Sequence, residues 1–361
     1  MTITQTLPYF IIFLLFILTT TPPTKAQPFS CKPSSKCNSL IDYVSPNDTT
    51  ISNITTLFGI SKNLLSFLGA NNYPPTTLPS LAIKAKQTVK IPFPCRCANG
   101  TGTSDGLPVY KVVPEDGLFH IASDIFGGLV LYQQIQAANN IADANKILVG
   151  QELKIPLPCS CDEVDGQAVI HYGHVVPAGS SVEAIAKQFD TTQETLLKLN
   201  ALADPADLKA GVVLDVPLKA CNSSISSDSR DYPLLVPNGS YAITANNCVR
   251  CKCDAANNYT LQCEPSQIKS SIWPTCPNTQ CNSVFLGNST SSGCSRTTCA
   301  YLGYDNQKII TNLTTVSTCS SNSTPSDSAS PSSATKINSQ GWRWNFLVAV
   351  QLVLLSLYLF Q

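Results

Sequence analysis

Apolar positions along the chain change rhythm several times, and each change marks an element. Residues 110–113 read as a short strand, and Pro114, Glu115, Asp116 and Gly117 follow as turn chemistry. Leu118, Ile121, Ala122 and Ile125 fall at helical spacing, and Leu131, Ile135 and Ala138 repeat it in a second helix. Residues 153–156 return to strand, which Pro156 and Pro158 end. The same order recurs downstream. His174, Val175 and Val176 open it, Val182, Ile185, Ala186 and Phe189 make one helix, Leu196, Leu197 and Asn200 the next, and residues 213–217 close it. An upstream copy over residues 37–92 keeps Ile54, Leu57, Phe58, Leu64, Leu65, Leu68, Asn71 and the closing strand, but its opening strand is blurred.

A second repeat punctuates the first. Lys90-Ile91-Pro92-Phe93-Pro94-Cys95-Arg96-Cys97 returns as Lys154-Ile155-Pro156-Leu157-Pro158-Cys159-Ser160-Cys161, and in degraded form as residues 215–221. Cys95 and Cys159 are 64 residues apart, and Cys159 and Cys221 are 62 apart. Three strand–helix–helix–strand modules are therefore predicted, at 27–98 (divergent), 109–157 and 171–218. Modules this small bury too little apolar surface to stand alone and need staples. Cys31, Cys37, Cys95, Cys97, Cys159 and Cys161 supply them, and Cys-X-Cys pairs favour bridges to another module over bridges to a neighbour. Six cysteines allow fifteen pairings, and the sequence does not choose among them. No histidine sits near them in sequence, so no metal site is expected. Over 221–319 helical periodicity disappears and ten cysteines stand among Ser, Thr, Asn and Gly. That stretch is expected to be a second, β- and loop-rich domain. The predicted class is α+β: three small βααβ modules packed together by disulfides, then a Cys-rich β/loop domain.

Both ends read as processing signals. Residues 9–18 are almost purely apolar, Pro22 and Pro23 break the run, and Ala26 precedes a cut at Gln27, which makes 1–26 a secretory signal peptide, although its first stretch lacks Lys or Arg. At the other end 320–332 is a Ser/Thr/Pro-rich stalk. A small-residue cluster around Ser332, a spacer over 335–345 and an apolar tail over 346–360 follow. This pattern makes 333–361 a glycosylphosphatidylinositol (GPI) attachment propeptide, with Ser332 the expected attachment residue. An uncleaved tail anchor is the alternative.

Composition agrees with a secreted, extracellular surface. The 16 cysteines are even in number, and nine Asn-X-Ser/Thr sequons occur, at Asn47, Asn53, Asn99, Asn222, Asn238, Asn258, Asn288, Asn312 and Asn322. Residues 27–332 hold 20 basic and 23 acidic side chains, a formal charge of −3, which suits an uncharged ligand better than a phosphate backbone. No P-loop, nucleophile elbow or His-Glu-X-X-His occurs. The acids Asp228, Asp231, Asp254, Glu264 and Asp305 of the Cys-rich stretch read as solvated loop positions rather than a glycosidase pair, and His171 and His174 as strand residues. No enzyme and no cofactor are expected.

The run from Tyr110 through Ile121, Phe126, Asn139-Asn140-Ile141 and Gly150-Gln151-Glu152-Leu153 to Pro156 resembles a LysM module, a type that binds polymers of N-acetylglucosamine. Three such copies joined by Cys-X-Cys, then a Cys-rich stretch and a GPI-like tail, resemble plant LysM-domain GPI-anchored receptor-like proteins across essentially the whole chain. Residues 141–147, Cys248-Val249-Arg250-Cys251-Lys252-Cys253 and Thr298-Cys299-Ala300-Tyr301-Leu302-Gly303-Tyr304 look most like the chitin-binding type. A sister subgroup is associated with peptidoglycan.

The resemblance implies a shallow sugar groove between two loops of the second module. One comprises Pro114, Glu115, Asp116, Gly117, Leu118, Phe119 and His120. The other comprises Ile141, Ala142, Asp143, Ala144, Asn145, Lys146, Ile147 and Leu148. Ile121 is read as core. The third module offers a second groove at 177–182 and 200–208, while glycans at Asn47 and Asn53 favour a scaffold role for the first. The implied partners are chitin oligosaccharides, a LysM receptor-like kinase co-receptor and a ligand-induced homodimer. The implied place is the extracellular face of the plasma membrane. The competing class is a non-signalling structural protein of the cell wall.

Overall fold

The computed structural model describes residues 29–317. The signal-peptide, Asn322 and Ser332 expectations lie outside the described residues.

A five-stranded sheet organises residues 29–220, in the order β5-β4-β1-β8-β9: β1 Lys36–Val44, β4 Thr88–Ala98, β5 Thr101–Ser104, β8 Val169–Val175 and β9 Val213–Lys219. β1 runs antiparallel to β4, with Cys37 opposite Cys95, and parallel to β8, with Leu40 opposite Tyr172. Along β4, Val89, Ile91, Phe93, Cys95 and Cys97 alternate into the core, the period-two pattern of a strand with one buried face. The β1–β8 approach depends on Gly173, where an added Cβ would meet the Ile41 side chain at 2.9 Å and Val213 at 3.0 Å.

Between the opening and closing strand of each copy the chain makes two short helices. The first copy has Ile51–Leu57 and Leu64–Ala70 between β1 and β4. Its opening strand, blurred in the sequence, is therefore a nine-residue one. The second copy lies between two three-residue strands, β6 Val109–Lys111 and β7 Glu152–Lys154, and its first helix, Leu118–His120, continues as a π-type turn, Ile121–Ile125, before Tyr132–Ala138. The third has Val182–Gln188 and Gln193–Leu199 between β8 and β9. Hydroxyl side chains cap three of these helices: Thr50 accepts from Asn53 N, Ser181 from Ala184 N and Thr192 from Thr195 N.

An asparagine clamp recurs in all three copies. Asn71 donates to Phe67 O and Lys90 O and accepts from Lys90 N, all at 2.8 Å. Asn139 does the same with Ile135 O, Lys154 O and Lys154 N, also at 2.8 Å. Asn200 does so with Leu196 O, Asp215 O and Asp215 N, at 2.9, 2.8 and 2.7 Å. Each clamp ties the end of the second helix to the closing strand.

The first and second copies share one core. Tyr43, Phe58, Phe126 and Tyr110 form a chain of edge-on rings with centroids 5.1, 5.7 and 6.0 Å apart. The third has its own cluster around Ile185, Leu196 and Val216. Cys37–Cys161 and Cys95–Cys159 join the first copy to the segment after the second. Cys31–Cys97 closes within 27–98, contrary to the expectation that each of these cysteines bridges to another module. β1 is the reason: it places Cys37 opposite Cys95, so the edge beyond it is free for residues 30–34, whose Cys31 N and Ser34 N reach Gly100 O and Cys97 O.

Residues 221–317 form small sheets: β10–β12 (Ser240–Thr244, Val249–Cys253, Gln262–Pro265), β13–β14 (Gln280–Cys281, Val284–Phe285) and β15–β17 (Ser289–Ser292, Ser295–Asp305, Lys308–Ser317). Cys221–Cys253, Cys248–Cys276, Cys251–Cys263 and Cys281–Cys299 staple them, and Cys294 is also disulfide-bonded. This segment docks on the first and third copies. Tyr241 donates to Tyr73 O at 2.7 Å, Tyr259 donates to Asp190 at 2.8 Å, and Lys219 lies 4.1 Å over the Tyr259 ring.

Candidate functional site

In each copy the end of the opening strand is bolted to the turn before the closing strand. Val112 N donates to Gln151 O and Gly150 N to Val112 O. Val176 does the same with Val212 and Gly211, and Ser45 with Gln87 and Lys86. Lys86, Gly150 and Gly211 all sit in the left-handed region at this turn. From these bolts two loops project, one leading into the first helix and one leaving the second. The three copies differ in how these loops meet.

In the second copy the first loop is braced from inside. The Asp116 carboxylate, 2% exposed, accepts from Val113 N at 2.8 Å and from the Tyr110 hydroxyl at 2.9 Å. Burial and the adjacent Asp116 push the Tyr110 phenol up to about 12, so it stays a donor. Asp116 is thus a turn-holding residue, and its carboxylate does not face outward as a sugar contact. Leu118 is 2% exposed and belongs to the core with Ile121. Pro114, Glu115, Phe119 and His120 are exposed, Glu115 in the left-handed region at φ +73. Space beside Gly117 is open, since an added Cβ would meet nothing within 4 Å. Phe119 stands against Tyr132 with ring centroids 6.5 Å apart, and His120 pairs with Asp124 at 2.8 Å.

The second loop is also self-supporting. Ile141, Ala144 and Ile147 rest half-buried on the core. Asp143 accepts from Asn145 N at 3.0 Å and pairs with Lys146 at 3.2 Å; these partners hold its carboxyl below the usual range. Ala142, Asn145, Lys146 and Leu148 are exposed, Leu148 at 72%. Among the described residues no hydrogen bond joins 114–120 to 141–148. On these loops Glu115, Ala142 and Asn145 are exposed and Ile141 is half-buried.

In the first copy the same two loops are zipped shut. β2 (Thr49–Thr50) pairs with β3 (Ala82–Ile83), Asp48 accepts from Ala85 N at 2.9 Å and pairs with Lys84 at 3.1 Å, and Ile51 N and Ser52 N donate to Leu81 O and Pro79 O. The loop that crosses over is four residues longer, because the clamp spans 19 residues from Asn71 to Lys90 but 15 from Asn139 to Lys154 and from Asn200 to Asp215. That spacing was the signal in the sequence; sequons alone suggested a blocked groove. The third copy has no such ladder. Its first loop turns at Gly179, and a cleft of about 410 Å³ lined by Lys198, Leu202, Leu208, Val213 and Phe29 opens beside the second loop.

The sulfurs of Cys37, Cys95 and Cys161 lie close enough together to suggest a metal cluster, but all three are disulfide-bonded and offer no thiolate. The sequon residues Asn47, Asn53, Asn99, Asn222, Asn238, Asn258, Asn288 and Asn312 are all exposed.

Residues 110–156 and 174–217 match the LysM domain family. Over 336 residues the chain is 46% identical to LysM domain-containing GPI-anchored protein 2 of Arabidopsis thaliana, covering 92% of each chain. Over 301 residues it is 46% identical to chitin elicitor-binding protein of Oryza sativa subsp. japonica, covering 82% of this chain and 83% of that one. Among solved structures it resembles the ectodomain of a receptor like kinase, with TM-score 0.44 and 22% identity over 52% of this chain and 94% of that one.

Proposed function

We propose that this chain, which belongs to the family of plant LysM-domain GPI-anchored proteins, captures chitin oligomers through its second LysM copy and passes the signal to a LysM receptor-like kinase. Members of the family sit at the outer face of the plasma membrane, and that is this protein's place. No helix among the described residues is long and apolar enough to cross a membrane. A GPI anchor puts no segment in the cytoplasm, so the signal needs a partner that crosses the membrane. The layout that goes with this reading is three LysM copies, a Cys-rich domain over 221–319, a stalk over 320–332 and anchor attachment at Ser332.

The observation that carries the reading is the open pair of loops at 114–120 and 141–148 beside a first copy whose equivalent loops are zipped together. An N-acetylglucosamine unit offers an amide donor, a carbonyl acceptor and a methyl group. Loop backbone can pair with the first two, Ile141 and Ala142 can cover the methyl, and Glu115 and Asn145 can meet hydroxyls. The similarity to chitin elicitor-binding protein supports the same ligand. One long oligomer can then bridge two copies of the chain into a homodimer.

Calorimetric titration of the ectodomain, residues 27–319, with N-acetylglucosamine oligomers of increasing length and with peptidoglycan fragments tests this. The expected result is length-dependent chitin binding that disappears when residues 141–147 are replaced. Binding to peptidoglycan alone would overturn the ligand assignment. Binding to neither would leave a structural role in the wall.

A further inference from the structure

The disulfide-rich segment carries a concave site far in sequence from the LysM loops. It is an open cleft of about 570 Å³ lined by Trp273, Tyr304, Arg230, Asn246, Ile272 and Gln307 among others. Three loops build it. The β10–β11 turn runs through Ala245, Asn246 and Asn247, all left-handed. Ser271 N donates to Asn246 O at 3.0 Å, which holds the Trp273 loop against that turn, and Cys248–Cys276 staples the two. Arg230 N donates to Tyr304 O at 3.2 Å, which fixes the third loop to β16. The position is set by backbone pairing and a disulfide, so the cleft is preformed.

Its walls combine two kinds of surface. Trp273 is 6% exposed and packs in the core behind the cleft; half-buried Tyr304 meets it edge-on, with centroids 5.9 Å apart at 78°, and Ile272 extends the apolar wall at 75% exposure. Against these stand polar groups that the protein leaves unused. The Trp273 indole N–H, the Tyr304 hydroxyl and the side-chain amides of Asn246 and Gln307 have no hydrogen-bond partner among the described residues, and none of them is sealed from solvent. Burial raises the Tyr304 phenol, which keeps it a neutral donor. Arg230 is held at 3.2 Å by Asp305 and at 3.1 Å by the Asn306 side-chain carbonyl, so its charge is largely balanced inside the site.

We propose that this cleft is a second carbohydrate site, taking a neutral pyranose chain that bears hydroxyl and acetamide groups. The Tyr304 ring and Ile272, backed by the buried Trp273, offer an apolar surface to the C–H face of a sugar, and two carboxamides, each both donor and acceptor, match neighbouring hydroxyls. A balanced arginine gives a free anion little advantage. The volume falls within the range of about 300–1,000 Å³ usual for small-ligand sites. The same chemistry is offered by a chitin oligomer and by the core of an N-glycan on a neighbouring glycoprotein. The inference stands on this cleft alone and survives if the second LysM copy binds something else.

Trp273 is the one tryptophan of residues 27–319, so intrinsic tryptophan emission of the ectodomain reads this cleft directly. Two probes are titrated separately: hexa-N-acetylchitohexaose and the mannose₃-N-acetylglucosamine₂ core pentasaccharide. The expected result is a saturable emission change with at least one probe, kept when residues 141–147 are replaced. The Asn246→Gly/Gln307→Ala variant removes only side chains without protein partners among the described residues, and glycine keeps the left-handed turn at position 246, so its fold is retained. Its affinity should fall about 5- to 140-fold, at about 0.5–1.5 kcal/mol for one hydrogen bond lost at each of the two positions. A response to the hexamer alone names the captured polymer as the source, and a response to the pentasaccharide names a glycoprotein. Unchanged emission with both probes on folded protein overturns the proposal. So does a change that persists undiminished in the double variant, or one that vanishes with the LysM loop replacement.

Discussion

Asn139→Ala should separate loop order from global stability. The side chain joins the start of the 15-residue stretch that holds the candidate binding loop to its end, through three bonds of 2.8 Å to Ile135 O, Lys154 O and Lys154 N. At about 0.5–1.5 kcal/mol net per bond, three bonds sum to roughly 1.5–4.5 kcal/mol. Lys154 is exposed, so water can replace much of what is lost, and about 1–2 kcal/mol is expected. Asn200→Ala deletes the same three bonds, but the partner there is Asp215, which is 1% exposed. Water cannot easily re-pair those groups, so the loss should be larger, about 2–4 kcal/mol. Stability should therefore rank Asn200→Ala below Asn139→Ala, while chitin affinity should rank the other way, because only Asn139 closes the loop carrying residues 141–148. Thermal melts give the first order, calorimetry the second, and amide exchange at Lys154 checks that the loop end has loosened. If Asn200→Ala weakens chitin binding as much as Asn139→Ala, the loop of the second copy is not the site.

His171 donates from Nε2 to Asp162 O at 2.8 Å and faces both Asp215 carboxylate oxygens with Nδ1 at 2.9 Å. A carbonyl only accepts, so the pair holds one more proton than the same groups unfolded at neutral pH. Burial works against the imidazolium, but Asp215 and the Asp162 carbonyl outweigh it and raise His171, while burial raises Asp215. Stability from this pair is full below the unfolded histidine value of about 6.5 and is lost as pH rises through the folded value. Denaturation between pH 6 and 9 should show a fall that His171→Gln flattens; equal slopes would refute it. Gly69→Ala should destabilise although alanine favours helices by about 0.4–1 kcal/mol, because its Cβ would fall 2.1 Å from Tyr241 O, an overlap costing roughly 1–3 kcal/mol. Limited proteolysis of 221–317 should speed up, and a more stable variant would sink the docking argument. Replacing Cys37 and Cys161 by alanine removes a bridge between positions 124 apart and should lower stability by about 2–4 kcal/mol, read by thermal melting; an unchanged melt would contradict it.

The second copy was the most legible part of the chain because its turn residues, helical spacing and closing strand agree at every level. Other features depended on contacts the pattern does not encode. The sequence alone reads Asp116 as turn chemistry, and it enters the sugar groove only through the resemblance. A short carboxylate at a turn more readily takes its own backbone N–H, and here it takes Val113 N. The disulfides could not be chosen among fifteen pairings until β1 and β4 fixed which cysteines stand opposite each other. Docking of 221–317 rests on Tyr241 and Tyr259, single side chains in a stretch without periodicity.

The zipped first copy explains why the second can stay open. A shallow groove on a small module gains little if its loops must be ordered each time a ligand arrives, since ordering costs are subtracted from binding. Here Asp116, Asp143 and Asn139 order the loops in the free protein. The core behind them is continuous with the first copy through Phe58 and Phe126. The four added residues of the first copy turn the equivalent loops into a two-stranded ladder, and its core residues pack against its neighbour's. If the second copy is the binding site as proposed, binding capacity in this architecture is decided by the length of one loop, while the clamp and core beneath it stay the same.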